Sequence, residues 1–392
     1  MTKYLWERPD WAHFRWRDES IIRALGECRL RQGKLLSEVT GLGLILENQA
    51  QVDILAEETL MTAAIEGENL DIKEIRSSVA RKLGLPSAGL SVNRNIDGLV
   101  SVLLDATRYH DVPLTEERLF GWHASLFPTG YSGMHRIRVG EWRGTEPMQV
   151  VSGPVGRETI HFEAPPADRL AAEIGHFIAW WNESRSSMEG LIRAAIAHFR
   201  FVTIHPFEDG NGRIARALTD MALSQDDRQS IRYYSLSSQI MAERDAYYNM
   251  IERCQKGDGD ITQWLDWFLG CFGRAIQRSE GLLKTVLDKA AFWKIHSQDP
   301  LSERQRKVIN RMLDAGKGGF EGGLTTRKYV SIADVSRATA FREMEHLVAL
   351  GILGQNPGRG RSVSYDLDWP SSSILIRSSM LQQDVIKRIA VV

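Results

Sequence analysis

The stretch HPFEDGNGRIAR, from His205 to Arg216, decides how this sequence folds around a site. It follows the apolar helical pattern LIRAAIAHFRFVTI, and a second helical pattern, IARALTDMALS, overlaps its end. Pro206 and the pair Gly210 and Gly212 predict a loop between the two helices. The sequence therefore predicts a helix, a polar loop and a second helix whose N-terminus faces the loop.

The residue types in this loop suit a polyphosphate and its metal ion. The amides from Gly210 to Arg213 would stand at a helix N-terminus, where unpaired N–H groups and the helix dipole favour an anion. Arg216 lies one turn after Arg213 and adds a second guanidinium suited to phosphate oxygens. Asp209 supplies the carboxylate that Mg²⁺ takes together with phosphates and water. His205 is the side chain suited to accepting a proton near neutral pH.

Each feature also has a simpler interpretation. A histidine before a proline is more often a turn or core residue, and a Gly-Asn-Gly is more often a tight turn. The joint order of residue types favours a site, and at every fixed position the stretch resembles the defining motif of the Fic family, H-x-F-x-[D/E]-G-N-G-R-x-x-R. The resemblance continues upstream through AHFRFVTI and downstream to about Phe272.

The resemblance implies a mostly α fold, a Fic-type helical bundle with a small β-hairpin flap, that transfers AMP from ATP to a Ser, Thr or Tyr hydroxyl of a protein. His205 would be the general base, and Asp209 would hold Mg²⁺ between the α- and β-phosphates. Phe207 would anchor the loop in the core. The remaining motif residues would bind the triphosphate: Gly210, Asn211 and Gly212 as the anion hole, Arg213 at the departing pyrophosphate, and Arg216 at the γ-phosphate.

The segment GEWRGTEPMQVVSGPVGRETIHFEAPP, with β-favouring runs at 149–151 and 159–162, predicts an exposed hairpin. By resemblance it is the flap that aligns the backbone of the target protein. Further residues are implied to approach the nucleotide: Ile160, His161, Phe162 and Glu163 on the flap, and Tyr247 with Tyr248 and Gln255 at the adenosine. YYNMIERC is also an amphipathic helix whose tyrosines fit a core equally well.

The segment TAAIEGEN, from Thr62 to Asn69, resembles the inhibitory motif of the family, [S/T]-x-x-x-E-[G/N]. Thr62 and Glu66 share one helix face, and Gly67 is a natural C-cap. A carboxylate at that helix end is unfavourable by roughly 0.3–1 kcal/mol unless a cation compensates it. By resemblance the cation is Arg216, so Glu66 would lie beside bound ATP, deny its γ-phosphate a partner and leave the enzyme autoinhibited.

Composition bounds the other functions. The 392 residues predict two or three globular domains, and 49 Lys plus Arg against 50 Asp plus Glu exclude a uniformly basic nucleic-acid coat. Three distant cysteines support neither a disulfide framework nor a zinc ribbon, and no signal peptide or stretch of membrane-spanning length is present. We therefore expect a cytoplasmic protein with no membrane partner, divided into an N-terminal helical region with the inhibitory helix (1–110), a Fic catalytic domain (111–280) and a winged helix domain (300–368).

The C-terminal segment has a charge of its own. Leu301 to Ser362 holds eleven Lys or Arg against six Asp or Glu, a net charge of about +5. Its order of helix, short helix and turn, second helix and hairpin looks like a winged helix-turn-helix. In such a module Ser336, Arg337, Thr339 and Arg342 would face the bases of DNA, and Arg359 and Arg361 would contact its backbone. Such modules also serve only in packing or protein binding.

Three functions stay open on the sequence. The first is an autoinhibited protein adenylyltransferase with possible self-modification. The second is a DNA-binding transcriptional regulator whose Fic domain senses nucleotide, although an intact His205 and Asp209 argue against a dead enzyme. The third is removal of AMP from targets, with Glu66 orienting water, or transfer of another phosphate-linked group. A homodimer is expected by resemblance alone.

Overall fold

The computed structural model describes residues 3–39, 44–87, 89–153, 157, 159–357 and 363–369. The chain divides into two compact units, Met1–Ser279 and Glu280–Val392. The fold is mostly α, as the sequence predicts, and the strands of the described residues form three separate antiparallel pairs. No helix among these residues is both long enough and apolar enough to span a bilayer.

Among the residues that the structure describes, the first unit contains ten α-helices and the start of an eleventh. Their bounds are α1 Asp18–Val39, α2 Leu44–Ile65, α3 Ile72–Lys82, α4 Arg94–Arg108, α5 Glu116–Leu126, α6 Ala167–Glu183, α7 Gly190–Ile204, α8 Asn211–Asp227, α9 Leu236–Ala242, α10 Arg244–Gln255 and α11 Thr262–Ile295. The strands are β1 Tyr131–Ser132, β2 His135–Arg136, β3 Gln149–Ser152 and β4 Thr159–Glu163. The hairpin of β3 and β4 lies where the flap is predicted, whereas the short pair of β1 and β2 was not predicted.

Helices α7 and α8 form the centre of the first unit. Every residue of α7 from Leu191 to Ile204 is buried, so the apolar pattern covers the whole helix rather than one face. Helix α8 begins at Asn211, two residues before the predicted start at Arg213, because Gly210 takes a left-handed conformation (φ 81°) and acts as its N-cap. The motif loop therefore joins two buried helices.

Helix α2 is anchored away from the motif loop by an apolar cluster. Ala56 of α2 is fully buried with Ile75 and Val79 of α3 and with Ile96 and Val100 of α4. The C-terminal end of the same helix carries the predicted inhibitory residues. Packing of α2, α3 and α4 thus fixes where that end lies.

The second unit contains the remainder of α11 and its own core. Its other elements are α12 Glu303–Asp314, α13 Thr326–Ala333, α14 Arg337–Ala349, β5 Leu353–Gln355 and β6 Tyr365–Leu367. Phe292, Tyr329 and Leu347 are buried among the aliphatic residues of this core. The helices and the strand pair follow the predicted order, while the winged helix identity stays a prediction. Arg359 and Arg361 lie outside the described residues.

Candidate active site

His205 stands at the end of α7, in a left-handed conformation (φ 51°) that turns the chain into the loop. Its Nδ1 lies 3.2 Å from the carbonyl oxygen of Val202. A proton on Nδ1 donates to that oxygen and leaves Nε2 with a free lone pair. Burial lowers the pKa of His205, and the nearby charge of Arg143 lowers it further. The imidazole is therefore neutral near pH 7 and able to accept a proton.

Asn211 holds the loop closed from inside. Its Oδ1 accepts a hydrogen bond from the Phe207 amide at 2.9 Å, and its Nδ2 donates to the Phe207 carbonyl at 2.8 Å. Phe207 is fully buried, and its ring stacks on His123 with centroids 4.1 Å apart. The Asn211 side chain is thus occupied by the loop backbone, so only its backbone N–H remains for the expected anion hole.

Two residues outside the motif support the loop and were not found from the sequence. Arg143 donates from its backbone N to the Pro206 carbonyl (2.9 Å) and from Nε to the His205 carbonyl (2.8 Å). His123 lies with Nε2 3.1 Å from the Asp209 carbonyl and Nδ1 3.1 Å from the Gly140 amide. Burial lowers the pKa of His123 to about 4, so it is neutral and can donate to one group while accepting from the other. Both residues come from distant segments that carry no local pattern.

Asp209 faces solvent more than any other predicted motif residue with a charge. Its side chain is 41% exposed, and it accepts hydrogen bonds from the Gly210 amide and the Ser132 hydroxyl. No described side chain caps α8, so the first amides of that helix point at the same space. Within the described part of the chain no three His, Cys, Asp or Glu side chains gather as a metal cage. One accessible carboxylate beside open amides fits Mg²⁺ that takes its other ligands from phosphates and water.

The two motif arginines retain donor capacity for an anion. Arg213 is 6% exposed and Arg216 2% exposed at the side chain. Nε of Arg213 and Nη1 of Arg216 are buried and have no hydrogen-bond partner among the described residues. Buried donors without a partner are rare, and a bound phosphate would satisfy them.

The predicted inhibitory residues contact Arg216. Its Nε donates to the Thr62 hydroxyl at 2.6 Å, and its Nη2 donates to the Thr62 carbonyl at 3.0 Å and to Glu66 Oε1 at 2.6 Å. Gly67 (φ 84°) follows the end of α2 in the left-handed conformation expected of a C-cap. A Cβ built on Gly212 would stand 2.2 Å from Glu66 Oε1, so the carboxylate lies directly on the first turn of α8.

Two further contacts bind the same segment. Glu68 Oε1 accepts from Nη1 of Arg213 at 2.6 Å, and Arg244 donates from Nε to the Ile65 carbonyl at 2.9 Å. The second bond satisfies one of the carbonyls left open at the end of α2. Glu68 was not singled out from the sequence, although it stands only two residues after Glu66. Each motif arginine is thus paired with an acidic residue of one short segment.

A cavity of about 400 Å³ opens beside these contacts. Its wall includes Gly212 together with the predicted base, the predicted inhibitory carboxylate and all three predicted adenosine residues: His205, Glu66, Tyr247, Tyr248 and Gln255. Tyr247 is buried with its hydroxyl 2.8 Å from Nε2 of His198, and Gln255 donates to the Thr203 hydroxyl at 3.3 Å. Tyr247 therefore serves the core and the cavity wall at once.

The flap covers one side of the cavity. Val151 pairs with Ile160 and Ser152 with Thr159, with a register shift after Val150. His161 and Phe162 belong to the cavity wall, whereas Ile160, 45% exposed, and Glu163 do not. Phe162 also packs against Tyr4 with ring centroids 5.2 Å apart. The structure thus brings two of the four predicted flap residues to the cavity.

The predicted DNA-contacting residues that are described lie at the start of α14. Arg337 and Arg342 are exposed. The Ser336 hydroxyl accepts from the Thr339 amide at 3.2 Å and caps the helix. Ser336 therefore has a structural role, and the two arginines are the charged groups available to a partner there.

Comparison with known proteins gives two matches to family models and several relatives. Residues 113–223 match the Fic/DOC family, and residues 4–85 match a "Domain of unknown function (DUF4172)". Protein adenylyltransferase fic-1 of Caenorhabditis briggsae is 25% identical over 256 residues, which cover 64% of this chain and 46% of the relative. Protein adenylyltransferase Fic of Drosophila ananassae is 27% identical over 252 residues, covering 62% of this chain and 46% of the relative. The chain thus spans about half the length of these curated relatives.

One solved structure shares the fold over most of its length. The crystal structure of a Fic family protein from Desulfovibrio desulfuricans G20 covers 90% of this chain and 97% of its own, with a TM-score of 0.52 and 19% identity. At that identity the likeness concerns the fold alone.

Proposed function

Since the chain belongs to the Fic/DOC family, we propose that it is an autoinhibited protein adenylyltransferase, which transfers AMP from ATP to a hydroxyl side chain of a protein. The observation that carries the proposal is the convergence on one cavity of a neutral His205, the open N-terminus of α8 and the Glu66 carboxylate. Two relatives of the chain are named protein adenylyltransferases, which agrees with this reaction.

In the proposed reaction the triphosphate binds at the N-terminus of α8. The amides of Asn211 and Gly212 and the guanidinium of Arg213 would carry its negative charge in a site largely shielded from water. Asp209 would hold Mg²⁺, which when bound neutralises phosphate charge. Nε2 of His205 takes the proton of the incoming hydroxyl, whose oxygen attacks the α-phosphorus while pyrophosphate leaves.

The segment from Thr62 to Glu68 covers the motif loop, and this covering segment supplies the proposed autoinhibition. Glu66 occupies Nη2 of Arg216, the guanidinium expected to grip the γ-phosphate, and lies against Gly212 where the triphosphate would pass. A carboxylate and a phosphate repel each other at this range and compete for the same donor. ATP that enters with Glu66 in place would therefore bind with its α-phosphate out of line for attack.

Mass spectrometry tests the proposed function. The protein with Glu66→Gly is incubated with ATP and Mg²⁺, alone and with cell lysate, beside the double variant Glu66→Gly, His205→Ala. We expect a mass increase of one AMP on one or more lysate proteins with the single variant and none on those proteins with the double variant. Labelling of lysate proteins that persists without His205, or no labelling of any protein, would refute it. Addition of modified target without ATP tests AMP removal as the alternative reaction.

For the second unit we propose DNA binding, as a separate activity. Arg337 and Arg342 project from the exposed side of α14, as base-reading side chains do in helix-turn-helix proteins. Filter binding at low salt would compare the wild type with Arg337→Ala, Arg342→Ala, and with Arg359→Ala, Arg361→Ala. Loss of binding in both double variants is expected. Absence of wild-type binding to mixed DNA would leave this unit a packing or protein-binding module.

A further inference from the structure

Three polar side chains form a hydrogen-bonded chain on the cavity wall that the proposed mechanism does not use. The Ser152 hydroxyl lies 2.6 Å from Nε2 of His161, and Nδ1 of the same imidazole lies 2.8 Å from Oε2 of Glu252. They come from three elements: Ser152 ends β3, His161 lies in β4 and Glu252 in α10. A hydroxyl, an imidazole and a carboxylate in this order are the parts of an activated nucleophile.

The hydrogen bonds fix the role of each group. Burial acts to raise the pKa of Glu252, but hydrogen bonds from Lys256 and His161 outweigh it and the pKa is lowered, so the group is a carboxylate. A carboxylate can only accept, and therefore Nδ1 of His161 carries the proton. Nε2 then accepts from the Ser152 hydroxyl. The arrangement favours removal of the serine proton when the oxygen attacks an electrophile.

The three hydrogen-bonded side chains lie where a bound nucleotide would bring them an electrophile. All three residues line the same cavity as His205 and Gly212, so a nucleotide that fills it touches the walls that hold both sets of groups. Ser152 is exposed at the end of β3, so its oxygen is accessible. We propose that Ser152 is an acceptor hydroxyl for AMP, so that the chain modifies its own flap. This inference rests on the proposed AMP transfer.

The step balances without a further reactant. Oγ of Ser152 attacks the α-phosphorus of ATP, and the new O–P bond forms as the bond to the bridging oxygen of the β-phosphate breaks. The serine proton passes to Nε2 of His161, and pyrophosphate leaves with the electron pair of the broken bond. Glu252 stabilises the resulting imidazolium until its proton passes to water. The product is a phosphodiester between AMP and Ser152.

Tryptic peptide mapping tests the site. Cleavage after Arg143 and Arg157 releases a peptide whose only hydroxyl side chains are Thr145 and Ser152. In the Glu66→Gly protein with ATP and Mg²⁺, we expect fragment ions that place AMP on Ser152. The substitution Ser152→Ala should remove the label from this peptide, and Thr145→Ala should leave it unchanged.

The rate of Ser152 labelling tests the role of His161 and Glu252. We expect His161→Asn to slow Ser152 labelling about 100-fold and Glu252→Gln about tenfold, each measured relative to the labelling of lysate proteins by the same variant. Gln149→Ala, which removes a flap hydrogen bond to Glu163 (3.0 Å), is the control and should retain the wild-type rate. Unchanged thermal unfolding of each variant excludes loss of the fold as the cause.

The possible outcomes distinguish a failure of this inference from a failure of the proposed AMP transfer on which it rests. AMP on lysate proteins or on other peptides, with none on Ser152, overturns the inference and leaves the proposed transferase intact. No AMP on any protein overturns both. Equal labelling of Ser152 in the His161 and Glu252 variants refutes activation by the hydrogen-bonded chain. If each molecule modifies its own flap, the first-order rate constant of labelling does not depend on protein concentration. A rate constant that rises with protein concentration would refute this intramolecular reaction.

Discussion

The motif loop and the segment that covers it are held in different ways. The loop from His205 to Arg216 is fixed by buried contacts of Asn211, Arg143 and His123 to its backbone. The covering segment reaches it through two carboxylates that remain partly exposed, 28% at Glu66 and 39% at Glu68, and through two buried hydrogen bonds from Arg216 to Thr62. Partly exposed ion pairs are weaker and more easily exchanged than buried backbone bonds. The difference indicates a preformed site beneath a removable cover.

The substitution Asn211→Ala should have the largest effect, because it breaks the frame of the loop. It leaves the buried amide and carbonyl of Phe207 without partners, at a cost of about 2–4 kcal/mol in the free energy of unfolding. AMP transfer by the Glu66→Gly protein should fall at least about 100-fold, since misplacement of catalytic groups by about 1 Å costs that much. Denaturant unfolding and initial rates measure the two effects. Wild-type values for both would show that the loop is not held from inside.

Glu66→Gly should act in the opposite direction and leave the loop intact. A charge-assisted hydrogen bond is worth roughly 1.5–3 kcal/mol, so AMP transfer should rise about 10- to 100-fold. Initial rates with ATP labelled at the α-phosphate measure the change. Glu57→Gln is the matched control, since Glu57 lies on the same helix and bonds Ser238 and Arg278 instead. Equal rates for wild type and Glu66→Gly would remove autoinhibition by this carboxylate.

Glu68→Gln should relieve the proposed autoinhibition less than Glu66→Gly does. Its carboxylate is more exposed than that of Glu66, and water screens its pairing with Arg213. We expect AMP transfer to rise about 3- to 10-fold. Combined with Glu66→Gly, the change measures whether the two carboxylates act together. A rate below that of wild type would instead make Glu68 a support for the position of Arg213.

Low pH should lower the free energy of unfolding by a moderate amount. Burial lowers the pKa of His123 to about 4 and that of His198 to about 3, against about 6.5 in the unfolded chain. The neutral forms are favoured on folding, so this stability is complete above pH 6.5 and declines as the pH falls toward the folded values. We expect about 1–2 kcal/mol less unfolding free energy at pH 5 than at pH 7 for each histidine. Denaturant unfolding of His123→Gln should show a shallower decline, and an unchanged pH profile would contradict a buried neutral His123.

The sequence predicted the features that depend on neighbouring residues and missed the contacts made by residues distant in the chain. The loop between two helices, the glycine at its end and the flap hairpin all follow from local residue types, and the helix ends differ by only a residue or two. The inward direction of the Asn211 side chain depends on the distance between Phe207 and the first turn of α8, which no spacing reveals. Arg143, His123 and Ser132 reach the loop from other segments as single residues. Glu68 looks like any other acidic residue after a helix end.

Helix α2 connects the apolar cluster with α3 and α4 to Glu66, which follows the helix end, lines the cavity and bonds Arg216. Under the proposed autoinhibition, stronger docking of this helix would weaken nucleotide binding in the geometry for attack, and looser docking would strengthen it. A methyl group removed from the cluster around Ile75, remote from any phosphate, would then lower thermal stability and raise turnover together. Under the proposed autoinhibition, the packing of this cluster would therefore set the rate of AMP transfer, and screens for stabilised variants would select slower enzymes.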